Sequence, residues 1–344
     1  MKVTQHASLQ ALNTFGVAAR ASLLIEVECE EDVLNLPVFD PARDFILGGG
    51  SNVLFVDDVP GTVFLNRIRG IAIVEENARE ALLEVGAGED WHGLVSWSLH
   101  KAMYGLENLA LIPGLTGAAP VQNIGAYGVE LASMLESVTA WDWHSASWQV
   151  LSREQCLLGY RDSVFKSAQA GRFLITSLRL RLSKNFAARL EYSGLRQELS
   201  SAGITKPDAW DVYAAVVRLR RRKLPDPAES GNAGSFFKNP LISREQLELL
   251  RRHHPGLPAC DADRQRVKIP AAWMIEQCGL KGRRHGGAAV SSRHALVLIN
   301  QDQASGADLW ELAQQVQRIV HERFAVMLEP EPRVYLQAES PPAS

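Results

Sequence analysis

The sequence holds little of what would classify it at sight. Cysteine is scarce: Cys29, Cys156, Cys260 and Cys278 are spread over 344 residues, and no two form a C-x-x-C pair. That spacing suits neither a zinc knuckle nor a disulfide framework, so no metal is expected and the thiols are expected to be reduced and mostly buried. No apolar run approaches the ~20 residues that cross a bilayer, and the opening MKVTQHASLQALNTFGV lacks the apolar core of a signal peptide. A cytoplasmic chain with no membrane partner is the expectation. Charge of one sign is missing too: 36 Lys and Arg against 39 Asp and Glu leave a net −3. A protein living on nonspecific nucleic-acid binding would be far more basic, so no nucleic-acid partner is expected. What remains is ordinary globular material, 46% hydrophobic and 22% charged. At roughly 150 residues per domain it suffices for about two or three domains.

Short β-branched and aromatic runs predict strands at 23–27, 45–47, 53–56, 62–65, 81–85, 138–143, 148–151 and 173–182. Apolar spacing predicts a helix through Val95, Leu99, Ala102 and Met103 that stops at Gly105. A second helix over 207–222 carries Tyr213, Val216, Val217 and Arg220 on one face. Further on, Ser243 with Gln246 and Ser305 with Asp308 are helix-start signals, and Pro270 opens a helix that Gly279 closes. The buried face of the helix after Ser305 is read as Leu309, Leu312, Val316, Ile319 and Val320, and the chain ends in a strand around 327–336. Between them, residues 108–130 (NLALIPGLTGAAPVQNIGAYGVE) keep no period, and so long an irregular segment is usually functional. The pattern is strand-rich α+β, with a boundary between 183 and 225.

Two glycine-rich loops stand out. In Gly48-Gly49-Gly50-Ser51-Asn52 successive glycines let backbone N–H groups converge on an anion, since no Cβ blocks the approach. It is not the dinucleotide fingerprint, because the strand-like VLFV follows where a helix would be needed. A tight hairpin turn explains the same residues equally well. The second loop runs from Ile112 through Pro113, Gly114, Gly117 and Ala118 to Pro120, with small residues and proline turns that would let a flat ligand lie on the backbone. Gln122, Asn123, Gly125 and Tyr127 follow as hydrogen-bonding positions, and a surface Ω-loop is the alternative.

Taken together, GGGSNVL and IPGLTGAAPVQNIGAYG resemble the flavin-binding half of the UDP-N-acetylenolpyruvoylglucosamine reductase family. The likeness continues in order through Gly159-Tyr160-Arg161-Asp162-Ser163, Lys223-Leu224-Pro225-Asp226-Pro227, GNAGSFFKNP at 231–240, AAWMIEQCGLKG at 271–282 and Leu328-Glu329-Pro330-Glu331. One block alone would mean little; five in order, spanning about 13–335, are beyond coincidence. Leu190-Glu191-Tyr192-Ser193-Gly194-Leu195 is similar to the tyrosine loop of the family's longer form.

The resemblance implies a two-subdomain FAD-binding module of the vanillyl-alcohol oxidase-like (PCMH) type plus a C-terminal α+β substrate-binding domain. On this chain the module would run over 13–183, with subdomains of about 13–68 and 69–183. The tyrosine loop and a connecting helix would occupy 184–224, the substrate domain 225–337, and a frayed tail 338–344. FAD would be noncovalent, held by Gly48, Gly49, Gly50, Ser51, Asn52, Pro113, Gly114, Gly117, Ala118, Gln122, Asn123, Gly125, Ala126 and Tyr127. NADPH would be the co-substrate, and UDP-N-acetyl-3-O-(1-carboxyvinyl)glucosamine would be reduced to UDP-N-acetylmuramate for peptidoglycan by a monomeric enzyme.

Adding hydride to the terminal carbon of an enolpyruvyl ether leaves negative charge on the neighbouring carbon and its carboxylate. Such a species needs a fixed cation and then a proton donor. Arg161 suits the first role by its permanent charge and planar fork, and Ser235 on a glycine-flanked turn suits the second. Glu331 would assist Arg161 if protonated, or by orienting it. Tyr192, Lys223 and Asn239 match the family's substrate positions, whereas Arg218, Arg220, Arg221 and Arg222 suit a helix C-terminus, with Lys223 just beyond it. A nucleic-acid patch is the weaker reading of that run, because no aromatics interleave with it. One departure stands out: Pro332 follows Glu331 where the family often has valine, so an edge or a bulge must accommodate the missing N–H. The GNAGSFFKNP block argues against a carbon–oxygen oxidase on the same module. The presence of Arg161, Ser235 and Glu331 argues against a non-catalytic nucleotide-sugar sensor.

Overall fold

The computed structural model describes residues 1–337, so the tail expected at 338–344 lies outside the described residues. The chain packs as two compact units that alternate along it. Met1–Ala7, Ala21–Gly50 and Val59–Arg222 make the first; Ser8–Arg20, Ser51–Asp58 and the chain from Lys223 make the second. Long-range pairing explains why this grouping departs from consecutive segments. The strand Val53–Phe55 runs parallel to Arg333–Tyr335, and the Phe15 carbonyl accepts the Asn300 carboxamide at 2.9 Å.

The first unit contains two sheets. In one, Lys2–Ser8, Arg20–Val27, Val59–Asn66 and Phe45–Leu47 lie in that order, the last three mutually parallel. The other is antiparallel, in the order Ser147–Ser152, Leu135–Asp142, Phe173–Ser183, Glu80–Gly86, Ile71–Glu76. Phe173–Ser183 shows why these residues make a half-buried strand: Leu178, Leu180 and Leu182 point inward while Arg179 and Arg181 alternate outward. Arg179 then faces Glu84 in register and bonds it at 2.8 Å. The two sheets are tied by Asn66, whose Nδ2 donates to the Ile175 carbonyl at 2.6 Å.

The second unit is organised around the helix Gly306–Phe324. Ser305 and Asp308 form the reciprocal capping box expected there. Leu309, Leu312, Val316 and Val320 are buried as read, while Ile319 is half-buried. Phe15, Phe236 and Phe237 meet edge to face with centroids 6.2 and 5.1 Å apart.

Four expectations change. The C-terminal strand spans only Arg333–Tyr335. Before it, side-chain and loop donors occupy the carbonyls, as Gln317 Nε2 does at Leu328 and the Lys238 N–H at Glu329, while Pro330 and Pro332 supply none. The helix expected to reach Gly105 is Trp91–His100, because Ala102 turns to φ 54°. Lys223 is the last residue of the helix Ala209–Lys223 rather than a residue beyond it. Only Cys156 is fully buried, its thiol pushed up to about 12 by desolvation; Cys29 and Cys260 are exposed. No helix among the described residues is long and apolar enough to cross a membrane.

Asp142 is fully buried and accepts two bonds from Arg172, at 2.9 and 2.6 Å. Arg172 therefore holds that carboxyl well below the usual carboxylate range, with Ser145 and the His144 N–H adding to it. A depressed native pKa stabilises above the unfolded value of ~3.9, and that contribution drains away as pH falls through the native one. Asp142→Asn is expected to cost about 2 kcal/mol at pH 7, as loss of a charge-assisted bond does. Urea titrations should find that gap narrowed at pH 3; a gap independent of pH would contradict this account.

Candidate functional site

In the first unit the two glycine-rich loops touch. A Cβ on Gly49 would stand 2.8 Å from Gly114 Cα and 3.2 Å from Leu115 N, and one on Gly48 would stand 3.3 Å from Ala118 Cβ. The second loop is pinned from behind. The Gly117 N–H donates to the Ala87 carbonyl at 2.8 Å, the Thr116 N–H to Glu89 at 2.8 Å, and the Trp91 N–H to Gly114 at 3.0 Å. Pro113 to Ala118 is thereby held against Gly48 and Gly49, with Pro113 and Ala118 exposed and Thr116 fully buried.

Beyond it, Gly125–Ala126 pairs with Val129–Glu130 around Tyr127 and Gly128, both at positive φ. Arg161 Nη2 donates to the Gly125 carbonyl at 2.9 Å. The Tyr192 ring meets Tyr127 edge-on at 5.2 Å, and burial pushes the Tyr127 phenol above its ordinary pKa. Arg161, Tyr127 and Tyr192 thus line one neighbourhood. Asn123, expected to offer hydrogen bonds to a ligand, spends its amide on the loop itself. Its Nδ2 donates to Glu130 and to the Gly159 carbonyl, and its Oδ1 accepts the Ala132 N–H. Gln122 Oε1 accepts from Lys166 Nζ at 3.4 Å.

Sequence reasoning missed the group that braces this neighbourhood. Arg220, read as a charge for the helix end, turns inward and donates from Nε to the Leu111 carbonyl at 3.0 Å. Burial lowers its pKa from the ordinary arginine value. The Leu111 N–H donates to His92 Nδ1 at 2.9 Å, so His92 carries its proton on Nε2, 3.2 Å from the Tyr213 hydroxyl. Desolvation lowers the His92 pKa; Asp90 opposes this, and Arg221 and Arg220 add to it. The signal was present: Tyr213 and Arg220 are polar residues on the face shared with Val216 and Val217. Arg218 and Arg222, by contrast, both pair with Glu198, at 2.9 and 2.8 Å.

In the second unit Ser235 and Glu331 are neighbours through backbone. The Phe236 N–H donates to the Leu296 carbonyl at 2.7 Å, and the Phe236 carbonyl accepts the Glu331 N–H at 2.8 Å. Asn52, expected at a cofactor, donates from Nδ2 to the Glu331 carbonyl at 3.3 Å, while its own carbonyl accepts the Arg333 N–H at 3.0 Å. Pro332 accordingly falls between two bonded amides, at the entry to a strand, where its missing N–H breaks no ladder. Asn239 Oδ1 accepts the Ala271 N–H at 3.0 Å and so starts the helix Ala271–Gln277. Lys223 lies within electrostatic reach of His294, whose pKa is lowered by burial and then by that lysine. Ser51 belongs to this unit as well.

The family model for the C-terminal domain of UDP-N-acetylenolpyruvoylglucosamine reductase matches residues 226–335, and that for an FAD binding domain matches 23–147. The UDP-N-acetylenolpyruvoylglucosamine reductase of Chromobacterium violaceum is 46% identical over 330 residues, covering 95% of this chain and 97% of its own. That of Xanthomonas oryzae pv. oryzae is 46% identical over 337 residues, covering 97% and 96%. The crystal structure of the Thermus caldophilus reductase matches with TM-score 0.68 at 26% identity, covering 97% and 98%.

The Gly49–Gly114 approach leaves no room for a side chain. Gly49→Val is expected to force the loops apart and to lower flavin content of the purified protein about tenfold or more. Flavin absorbance per polypeptide measures it, with circular dichroism to establish folding. A folded valine variant with full flavin content would reduce the GGGSN loop to a turn.

Proposed function

The chain belongs to the UDP-N-acetylenolpyruvoylglucosamine reductase family, and from that premise we propose how its own residues divide the reaction. The protein is an FAD-dependent oxidoreductase that reduces the enolpyruvyl group of the nucleotide sugar in peptidoglycan synthesis. The touching loops of the first unit fit the cofactor, since the close approach at Gly49 keeps side chains out of the way of a flat ligand. Bound FAD supplies the hydride. NADPH is its source in this reading, as in the resemblance from which it comes.

Arg161 receives the enolpyruvyl carboxylate. Its guanidinium is anchored at one nitrogen by the Gly125 carbonyl, which sets the direction of the remaining donors. When hydride reaches the terminal carbon, charge grows on the adjacent carbon and on the carboxylate, and a fixed cation stabilises it without reorganisation. The Ser235 hydroxyl then gives its proton to that carbon, forming the C–H bond, and the resulting alkoxide is reprotonated from solvent. A hydroxyl is a weak acid, but the carbanion is a far stronger base. Glu331 assists Arg161 or orients it, and Lys223, Tyr192 and Asn239 hold the diphosphate and enolpyruvyl ends of the nucleotide sugar. The observation that carries the proposal is the 2.8 Å bond from the Glu331 N–H to the Phe236 carbonyl, which makes the serine loop and the glutamate one backbone assembly.

A serine that only protonates the substrate has no part in flavin reduction. With Ser235→Ala, anaerobic stopped-flow should find NADPH bleaching the flavin near the wild-type rate, and reoxidation by substrate slowed ~10²-fold or more, the range for losing a general acid. Ser235→Cys should recover part of the second rate. Equal slowing of both half-reactions would make the serine a shaper of the pocket, and no slowing would assign the proton elsewhere.

A further inference from the structure

One buried carboxamide in the first unit joins two loops that the proposed function uses separately. Asn108 lies in the short turn Glu107–Leu109 and is 1% exposed. Its Nδ2 donates at 2.9 Å to the Tyr127 carbonyl and at 2.9 Å to the Arg189 carbonyl. Both amide protons are spent, one on each loop. Oδ1 of the same side chain is buried and bonds no group among the described residues. An unsatisfied buried acceptor is a cost that a leucine of similar size would avoid. What asparagine contributes here is its pair of donors.

Residues 184–192 form neither helix nor strand, so no ladder of their own positions them. They lie directly on the turn that holds Tyr127: a Cβ on Gly128 would meet the Glu191 carboxylate at 3.7 Å and Tyr192 N at 3.8 Å. Downstream, the Tyr192 carbonyl accepts the Leu195 and Arg196 N–H groups of the helix Ser193–Ser201. That helix is fixed in turn by Glu198 to Arg218 and Arg222. Tyr192 is therefore held from its C-terminal side by a helix, and on its N-terminal side Asn108 takes the Arg189 carbonyl while Arg196 takes that of Leu190.

We propose that Asn108 is a positioning residue that straps the tyrosine loop to the loop of Tyr127, and so presents Tyr192 to the nucleotide sugar. The proposal rests on the reading of Tyr192 as a substrate ligand. Two properties separate it from a merely structural role. Its loss should act on substrate affinity rather than on flavin reduction, and it should act through Tyr192.

The test uses the flavin-loaded enzyme and UDP-N-acetylenolpyruvoylglucosamine. Asn108→Leu, which removes both donors and the orphaned acceptor, should raise the Kd of the oxidised enzyme for that substrate about tenfold. Flavin content and the rate of bleaching by NADPH should not change, and amide exchange over 184–192 should accelerate. Asn108→Ser, which keeps one donor, should fall between and carries the comparison if leucine is not tolerated. Tyr192→Ala should weaken binding by itself, and adding Asn108→Leu should then cost less than about twofold, the non-additivity expected of one pathway. Full additivity, or a lowered Tm with unchanged Kd and unchanged exchange, would overturn the proposal. If Tyr192→Ala weakens binding and Asn108→Leu does not, the strap falls and the reading of Tyr192 stands. If Tyr192→Ala binds normally, that reading falls, and the role proposed for Asn108 falls with it whatever the exchange data show.

Discussion

Eight non-glycine residues of the first unit stand in the left-handed region, and the geometry of the site loops depends on keeping four of them there. Leu111 has φ 57°, Asn123 44°, Tyr127 49° and Arg161 54°. A side chain at positive φ costs on the order of 1–2 kcal/mol, so four of them would relax without compensation. Each is held by a specific polar contact. Leu111 is gripped on both sides, its N–H by His92 and its carbonyl by Arg220. Asn123 bonds three separate groups. The Tyr127 carbonyl is taken by Asn108, and Arg161 reaches across to Gly125. Net worth of a hydrogen bond is about 1 kcal/mol, comparable to the strain it opposes. Each contact opposes the strain at its own residue.

The second unit solves a different problem, which is to bring a serine and a glutamate nearly a hundred residues apart into one backbone assembly. It does so with backbone bonds from Leu296 to Phe236, Phe236 to Glu331 and Asn52 to Arg333, and with the Asn52 carboxamide on the Glu331 carbonyl. Backbone bonds of this kind have little rotamer freedom to lose. They fix a Cα, from which a short serine side chain has only a few staggered positions to choose. Asn52 matters most, because it carries the strand Val53–Phe55 into register with Arg333–Tyr335. A residue that looks like the end of a glycine loop is also an anchor of the carboxylate's backbone.

What was legible in the sequence was local. The strand Phe45–Leu47 ends in three glycines within six residues, and the capping pair Ser305 and Asp308 lies within one turn. Such features depend on neighbours in sequence, and the motif blocks are legible for the same reason. Asn108 was not legible, and Arg220 was legible only in its helix face, because their meaning lies in partners 19, 81 and 109 residues away. Asn123 was misread for its chemistry: an exposed asparagine would offer its amide to a ligand, whereas this one is 1% exposed and saturated. Pro332 shows the same limit from the other side. Its constraint could be derived from the residue alone, but the way it is met depends on Asn52, 280 positions earlier.

The helix Ala209–Lys223 gathers these threads by its phase. Arg218 and Arg222, four apart, share one outward face and meet Glu198, which fixes the helix that follows Tyr192. Arg220, between them, is rotated by about 200° from each and faces inward with Tyr213, seven residues earlier. Within three turns, one face therefore sets two cations on one carboxylate while the other carries charge into the protein, where burial and the neighbouring Arg161 both oppose it. Arg220 keeps its positive charge there only by remaining a guanidinium, which does not give up its proton under these conditions; a lysine could. The helix thus delivers a permanent cation to the strained loop while its outer face grips Glu198, and the two tasks are separated by nothing more than 100° per residue.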